Sequence, residues 1–65
     1  IRAKLSEVVV RIPVADGSTI AALYREAEVI ERVDDATTVA LTARVPVPFL
    51  GRLRSIDGIR IEEAQ

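Results

Sequence analysis

The chain contains no cysteine and no histidine, which removes disulfides, thiolate metal sites and every serine–imidazole or cysteine–imidazole nucleophile. It has one lysine, Lys4, and no spacing brings Ser6, Ser18 or Ser55 to it as a serine–lysine pair. Glycine is scarce and scattered: Gly17, Gly51 and Gly58 stand alone, so neither a P-loop nor a dinucleotide fingerprint is present. The only aromatic residues are Tyr24 and Phe49. No apolar run approaches the roughly 20 residues that span a bilayer. The first residues show no basic segment leading into an apolar one, so no secretory signal is expected and a cytoplasmic location is. Nine basic residues against ten acidic ones leave a net charge of −1, with no overall field toward DNA, RNA or anionic lipid.

What the chain does have is β-branched bulk. Of its 65 residues 49% are hydrophobic, and sixteen are Val or Ile against five Leu, a bias toward sheet. The length allows one domain. Such a chain buries only about 60% of the surface its unfolded form exposes, so modest stability is expected. A start at Ile1 with no Met anywhere reads as a segment excised from a longer protein. The expected domain is 1–65, with an ordered core of about residues 7–62 and a lead-in over residues 1–6.

Periodicity gives the elements. Residues 7–14 alternate, with Val8, Val10, Ile12 and Val14 on one face and Glu7, Val9, Arg11 and Pro13 on the other, as in a strand with one buried face. Ala15-Asp16-Gly17-Ser18 supplies helix-start chemistry, with Asp16 or Ser18 as the cap. Ile20, Leu23, Tyr24 and Ala27 then fall at helical spacing, which predicts about ten residues of helix. Residues 28–34 form a second strand whose charges suit a protected edge. Its inward face stays open, since Val29 and Val33 favour one side and Ile30 the other. After a turn at Asp34-Asp35-Ala36, residues 38–45 alternate with Val39, Leu41, Ala43 and Val45 inward. Pro46 and Pro48 stop that strand, and Pro48 is expected to open a short helix through Arg54 that buries Phe49, Leu50 and Leu53. Asp57-Gly58 turns the chain into a last strand marked by Ile59 and Ile61, and residues 63–65 read as a polar tail.

The order β-α-β-β-α-β predicts an α+β fold: a ferredoxin-like sandwich with a four-stranded antiparallel sheet and two helices on one face. Strands one and three lie inside, and strands two and four are edges through which self-association is possible. Arg11, Arg44 and Arg60 then project from the open face, with Arg32 a candidate to join them. RNA-binding sheets of this topology stack bases on aromatic residues there, and this chain has none at those positions. The adjacent carboxylates Asp34/Asp35 and Glu62/Glu63 sit in a turn and a tail, where solvation is the simplest reading. No loop has calcium-ligand spacing. Catalytic, metal and cofactor-binding residues are therefore expected to be none. Asp16-Gly17 offers at most an anion cradle at a helix start.

Several runs resemble the small C-terminal domain of HflX-type GTPases. They are Val8-Val9-Val10-Arg11-Ile12-Pro13, Asp16-Gly17, and Ile20 through Glu28-Val29-Ile30-Glu31, followed by Val39 through Val45-Pro46 and Leu50-Gly51-Arg52-Leu53. The likeness covers roughly residues 7–54 and lies mainly in hydrophobic patterning. It implies a non-catalytic accessory domain of a GTP-binding protein associated with the large ribosomal subunit. GTP and magnesium would belong to a G domain upstream. The partners would be that G domain and ribosomal RNA or protein, with Arg11, Arg44, Arg52 and Arg54 as the docking surface. The alternatives are an ACT-like module, whose helix-start turn Asp16-Gly17 resembles and which binds a small effector, or a protein-interaction and dimerisation domain. An acylphosphatase-type enzyme on this fold relies on a water-orienting asparagine, and this chain has no asparagine.

Overall fold

The computed structural model describes residues 4–63. The chain runs β1 (Leu5–Pro13), α1 (Gly17–Glu26), β2 (Glu28–Asp34), β3 (Thr38–Pro46), α2 (Val47–Arg54) and β4 (Arg60–Glu63). The four strands form one sheet in the order β2-β3-β1-β4, antiparallel at every seam. This is the expected ferredoxin-like arrangement, with β1 and β3 central.

The core follows from two alternating rows. β1 and β3 pair over nine residues each, setting Val8 against Ala43, Val10 against Leu41 and Ile12 against Val39. Partners across an antiparallel seam share a face, so these side chains and Val45 form one apolar surface. All seven are at most 2% exposed. Both helices cover that surface: Leu23 of α1 and Phe49, Leu50 and Leu53 of α2 belong to the same buried cluster. Full burial of each large aliphatic side chain contributes roughly 1.5–3 kcal/mol, and no comparable cluster exists elsewhere among the described residues.

Several boundaries differ from the sequence reading. β1 begins at Leu5, inside the expected lead-in, because Leu5 and Ser6 pair with Pro46 and Val45. Val14, expected inward, is 53% exposed. The strand ends at Pro13, and the Val14 N–H turns to the Thr37 carbonyl instead. Pro46 stops β3 as expected, but as its last residue opposite Leu5, an end position that tolerates proline's lack of an N–H. α2 starts one residue early, at Val47, whose N–H donates to the Lys4 carbonyl at 3.0 Å. Glu63, assigned to the tail, is the last residue of β4 and pairs with Val8. The outer parts of the expected lead-in and tail, 1–3 and 64–65, lie outside the described residues.

Tyr24 is a further correction. Placed on the apolar face by its spacing, it is 47% exposed, and its hydroxyl accepts from Arg32 Nη1 at 3.5 Å. Thr19 takes a buried position in its stead, at 7% exposure.

The ambiguity in β2 has a structural cause. Val29 pairs with Ala43 but the next pair is Glu31 with Thr42, so Ile30 is an extra, bulged residue. A bulge breaks the two-residue alternation, which is why no single inward face was readable. Val29 faces the helices, Val33 shares the open face with Ala40, and Arg32 opposes Leu41 on the helix side. Arg32 therefore does not join the open-face arginines.

Gly58 has φ +88° in the turn before β4, a left-handed conformation that suits glycine. Gly51 needs no such freedom: it sits inside α2, and a β-carbon there meets nothing within 4 Å. Gly51→Ala is expected to stabilise the domain by about 0.5–1 kcal/mol, seen as a higher urea midpoint. A lowered midpoint would count against the open surroundings of this position.

Candidate functional site

The helix-start turn is already filled by the chain itself. Asp16 caps α1: one carboxylate oxygen accepts from the Thr19 N–H at 3.3 Å and the Ser18 hydroxyl at 3.1 Å, and the other accepts from the Thr19 hydroxyl at 2.7 Å. These bonds, the Thr19 side chain foremost and its N–H next, hold the Asp16 carboxyl below its ordinary value near 3.8. A carboxylate in this position satisfies the Thr19 amide and complements the helix dipole, so the chain's own anion already stands at the helix start. The sequence offered Asp16 or Ser18 as cap, and the structure selects Asp16. Because its folded pKa lies below the unfolded one, the cap's contribution is complete above the unfolded value and is lost as pH falls through the folded one. Asp16→Asn keeps capping ability but removes this titration. Its urea midpoint is expected to fall less steeply than the parent's as pH is lowered from about 5 through the carboxylate range. Equal slopes for the two chains would show that the cap does not titrate with folding.

The open face of the sheet is a ladder of charges. Three arginines, Arg11, Arg44 and Arg60, share it with four glutamates, Glu7, Glu28, Glu31 and Glu62. Arg44 stands between Glu28 at 3.4 Å and Glu7 at 3.7 Å, one on each neighbouring strand. Arg11 meets Glu62 at 3.3 Å. Val9, half-buried, and Thr42 lie between these pairs. Exposed ion pairs of this kind add little stability; their larger effect is that each cation faces carboxylates before any outside anion arrives.

Arg32 is held apart from that ladder. On the helix side it grips Asp34 with two bonds, of 2.7 and 3.3 Å. Asp34 first, then Tyr24, push its pKa further up, so it stays a fixed cation.

Two further arginines lie on α2, in the helical layer on the opposite side of the sheet. Arg52 and Arg54 are exposed, and neither forms an ion pair among the described residues. The Arg52 guanidinium rests 5.7 Å from the Phe49 ring centroid, a cation–π arrangement. Arg54 borders a cleft of about 360 Å³, together with Leu5, Val8, Leu50 and Glu63. The structure thus divides the four candidate docking residues: Arg11 and Arg44 on the open face, paired, and Arg52 and Arg54 on α2, without an ion pair among the described residues. Spacing alone placed Arg11 and Arg44 on the open face correctly. It missed the glutamates that engage them, because strand register decides which charges meet.

Every buried side-chain nitrogen or oxygen among the described residues has a hydrogen-bond partner. No three acidic side chains among them converge as metal ligands, and no helix is long and apolar enough to cross a membrane. No protein-family model matches the chain, nor does any curated protein or solved structure.

The ladder makes a concrete statement about polyanions. Glu7→Gln, Glu28→Gln and Glu62→Gln together leave Arg11 and Arg44 without their carboxylates. The triple variant is expected to bind a heparin column more tightly than the parent, eluting at higher salt. Unchanged elution would mean that the glutamates do not mask the sheet.

Proposed function

We propose that the chain is a non-catalytic accessory domain of an HflX-like GTP-binding protein that associates with the large ribosomal subunit, and that α2 supplies its main electrostatic contact. Two features support this reading. The runs that resemble the HflX C-terminal domain fall on successive elements, from β1 through α1 and the start of β2 to β3 and α2. The observation that carries the docking assignment is the state of the arginines. Arg44 and Arg11 are engaged by glutamates, whereas Arg52 and Arg54 project from an eight-residue helix and form no ion pair among the described residues, although Glu7 and Glu63 line the same cleft as Arg54.

Guanidinium groups on a rigid helix suit phosphate oxygens, because their planar donors are already oriented. Cytoplasmic residence, a G domain as covalent partner, and GTP and magnesium in that G domain belong to the same proposal. The domain itself would hydrolyse nothing. Sequence upstream of Ile1 bearing a P-loop and guanine-recognition motifs supports the kinship; a different upstream domain removes it.

The docking assignment is tested in the full-length protein by ribosome co-sedimentation across a salt series. Arg52→Ala with Arg54→Ala is expected to weaken binding and to lower the slope of log K against log salt by about 1–2. Arg11→Ala with Arg44→Ala is expected to change it little. The reverse ranking would move the contact to the sheet, and an unchanged profile for all four replaced together would end the docking reading.

A further inference from the structure

The two sheet edges differ in a way that singles out β4. β2 is interrupted by the bulge at Ile30, and its one cation, Arg32, is already held by Asp34. β4 is short and unbulged, and its cation is in the opposite situation. Arg60 stands directly across from Arg11, and like charges facing each other across a seam are unfavourable. Arg11 is relieved by Glu62 at 3.3 Å, while Arg60 has no ion pair among the described residues. One edge therefore carries an uncompensated arginine beside a glutamate two residues on.

We propose that β4 is a self-association edge, and that its partner is β4 of a second copy of this chain. Two antiparallel strands related by a two-fold axis through the sheet keep each face on its own side. With that axis beside Ile61, Ile61 opposes its own copy on the helix side. On the open side Arg60 opposes Glu62 of the second copy, and Glu62 opposes the second copy's Arg60. The arginine left facing Arg11 thereby gains a carboxylate, twice by symmetry. Ile61, half-buried and paired with the fully buried Val10, gains an apolar neighbour, and two four-stranded sheets become one of eight strands. A four-residue strand offers little area, below the class of stable interfaces, so the dimer is weak and concentration-dependent. This assignment stands apart from the ribosomal reading and makes no use of Arg52 and Arg54, its main contact.

Sedimentation equilibrium of the 65-residue chain, from roughly 10 μM to 1 mM, tests it. The parent is expected to show a monomer–dimer equilibrium that weakens with salt. Arg60→Glu, which sets like charges opposite Glu62 of the copy, is expected to weaken it roughly tenfold or more. Arg60→Glu combined with Glu62→Arg exchanges the two charges and is expected to restore it. Circular dichroism of each variant confirms that the fold is retained. A parent that stays monomeric to the top of the range overturns the proposal. So does an Arg60→Glu variant that dimerises as the parent does, or a charge-exchanged variant that stays as weak as the single one. Loss of dimerisation on Val33→Lys, with Arg60→Glu unaffected, assigns the contact to β2 and overturns it equally.

Discussion

Everything in this domain hangs on the seam between β1 and β3. Nine residues of each strand pair without a break, and the pairing lays seven aliphatic side chains on one side of the sheet. Neither helix has a comparable surface of its own. α1 contributes Leu23 alone as a large buried side chain, and α2 contributes Phe49, Leu50 and Leu53. In so short a chain, where helix propensity is a weak force, the helices are held by the sheet they cover. The edges β2 and β4 are in turn added to the outer flanks of a pair already complete.

This hierarchy explains which parts of the fold were legible in the sequence. Val8, Val10 and Ile12, and Val39 through Val45, carry an unbroken period of two, so the central strands and the topology built on them could be read directly. The helix caps were legible in kind, since Asp16 and the prolines around Val47 have few other uses. β2 was legible in its bounds and its edge position but not in its inward face, because its period is broken by one residue and its outer groups are charged whichever way they point. Val14 and Tyr24 were misplaced for a related reason. Each continues a local pattern past the point where the sheet or the core ends, and only tertiary packing marks that point.

The charged surface was legible residue by residue but not as pairs. Arg11 and Arg44 were placed on the open face from alternation alone. That Arg44 lies between Glu7 and Glu28 depends on two registers at once, and no local pattern carries that information. The same holds for Arg60 opposite Arg11. A count of basic residues on a face therefore overstates its pull on an anion. What distinguishes the arginines of α2 is that neither forms an ion pair among the described residues, whereas Arg11 and Arg44 are each paired across a strand seam.

The bulge at Ile30 has a consequence for how this architecture tolerates change in chain length. Val29 and Glu31 occupy adjacent rungs opposite Ala43 and Thr42, so the residue between them takes up no rung of its own. A chain one residue shorter at this point would keep every other partner, with Val29 still turned to the helices and Glu31 still turned away. The strand can shed one amino acid here without its two sides trading places, whereas the same edit in β1 or β3 would turn the core outward.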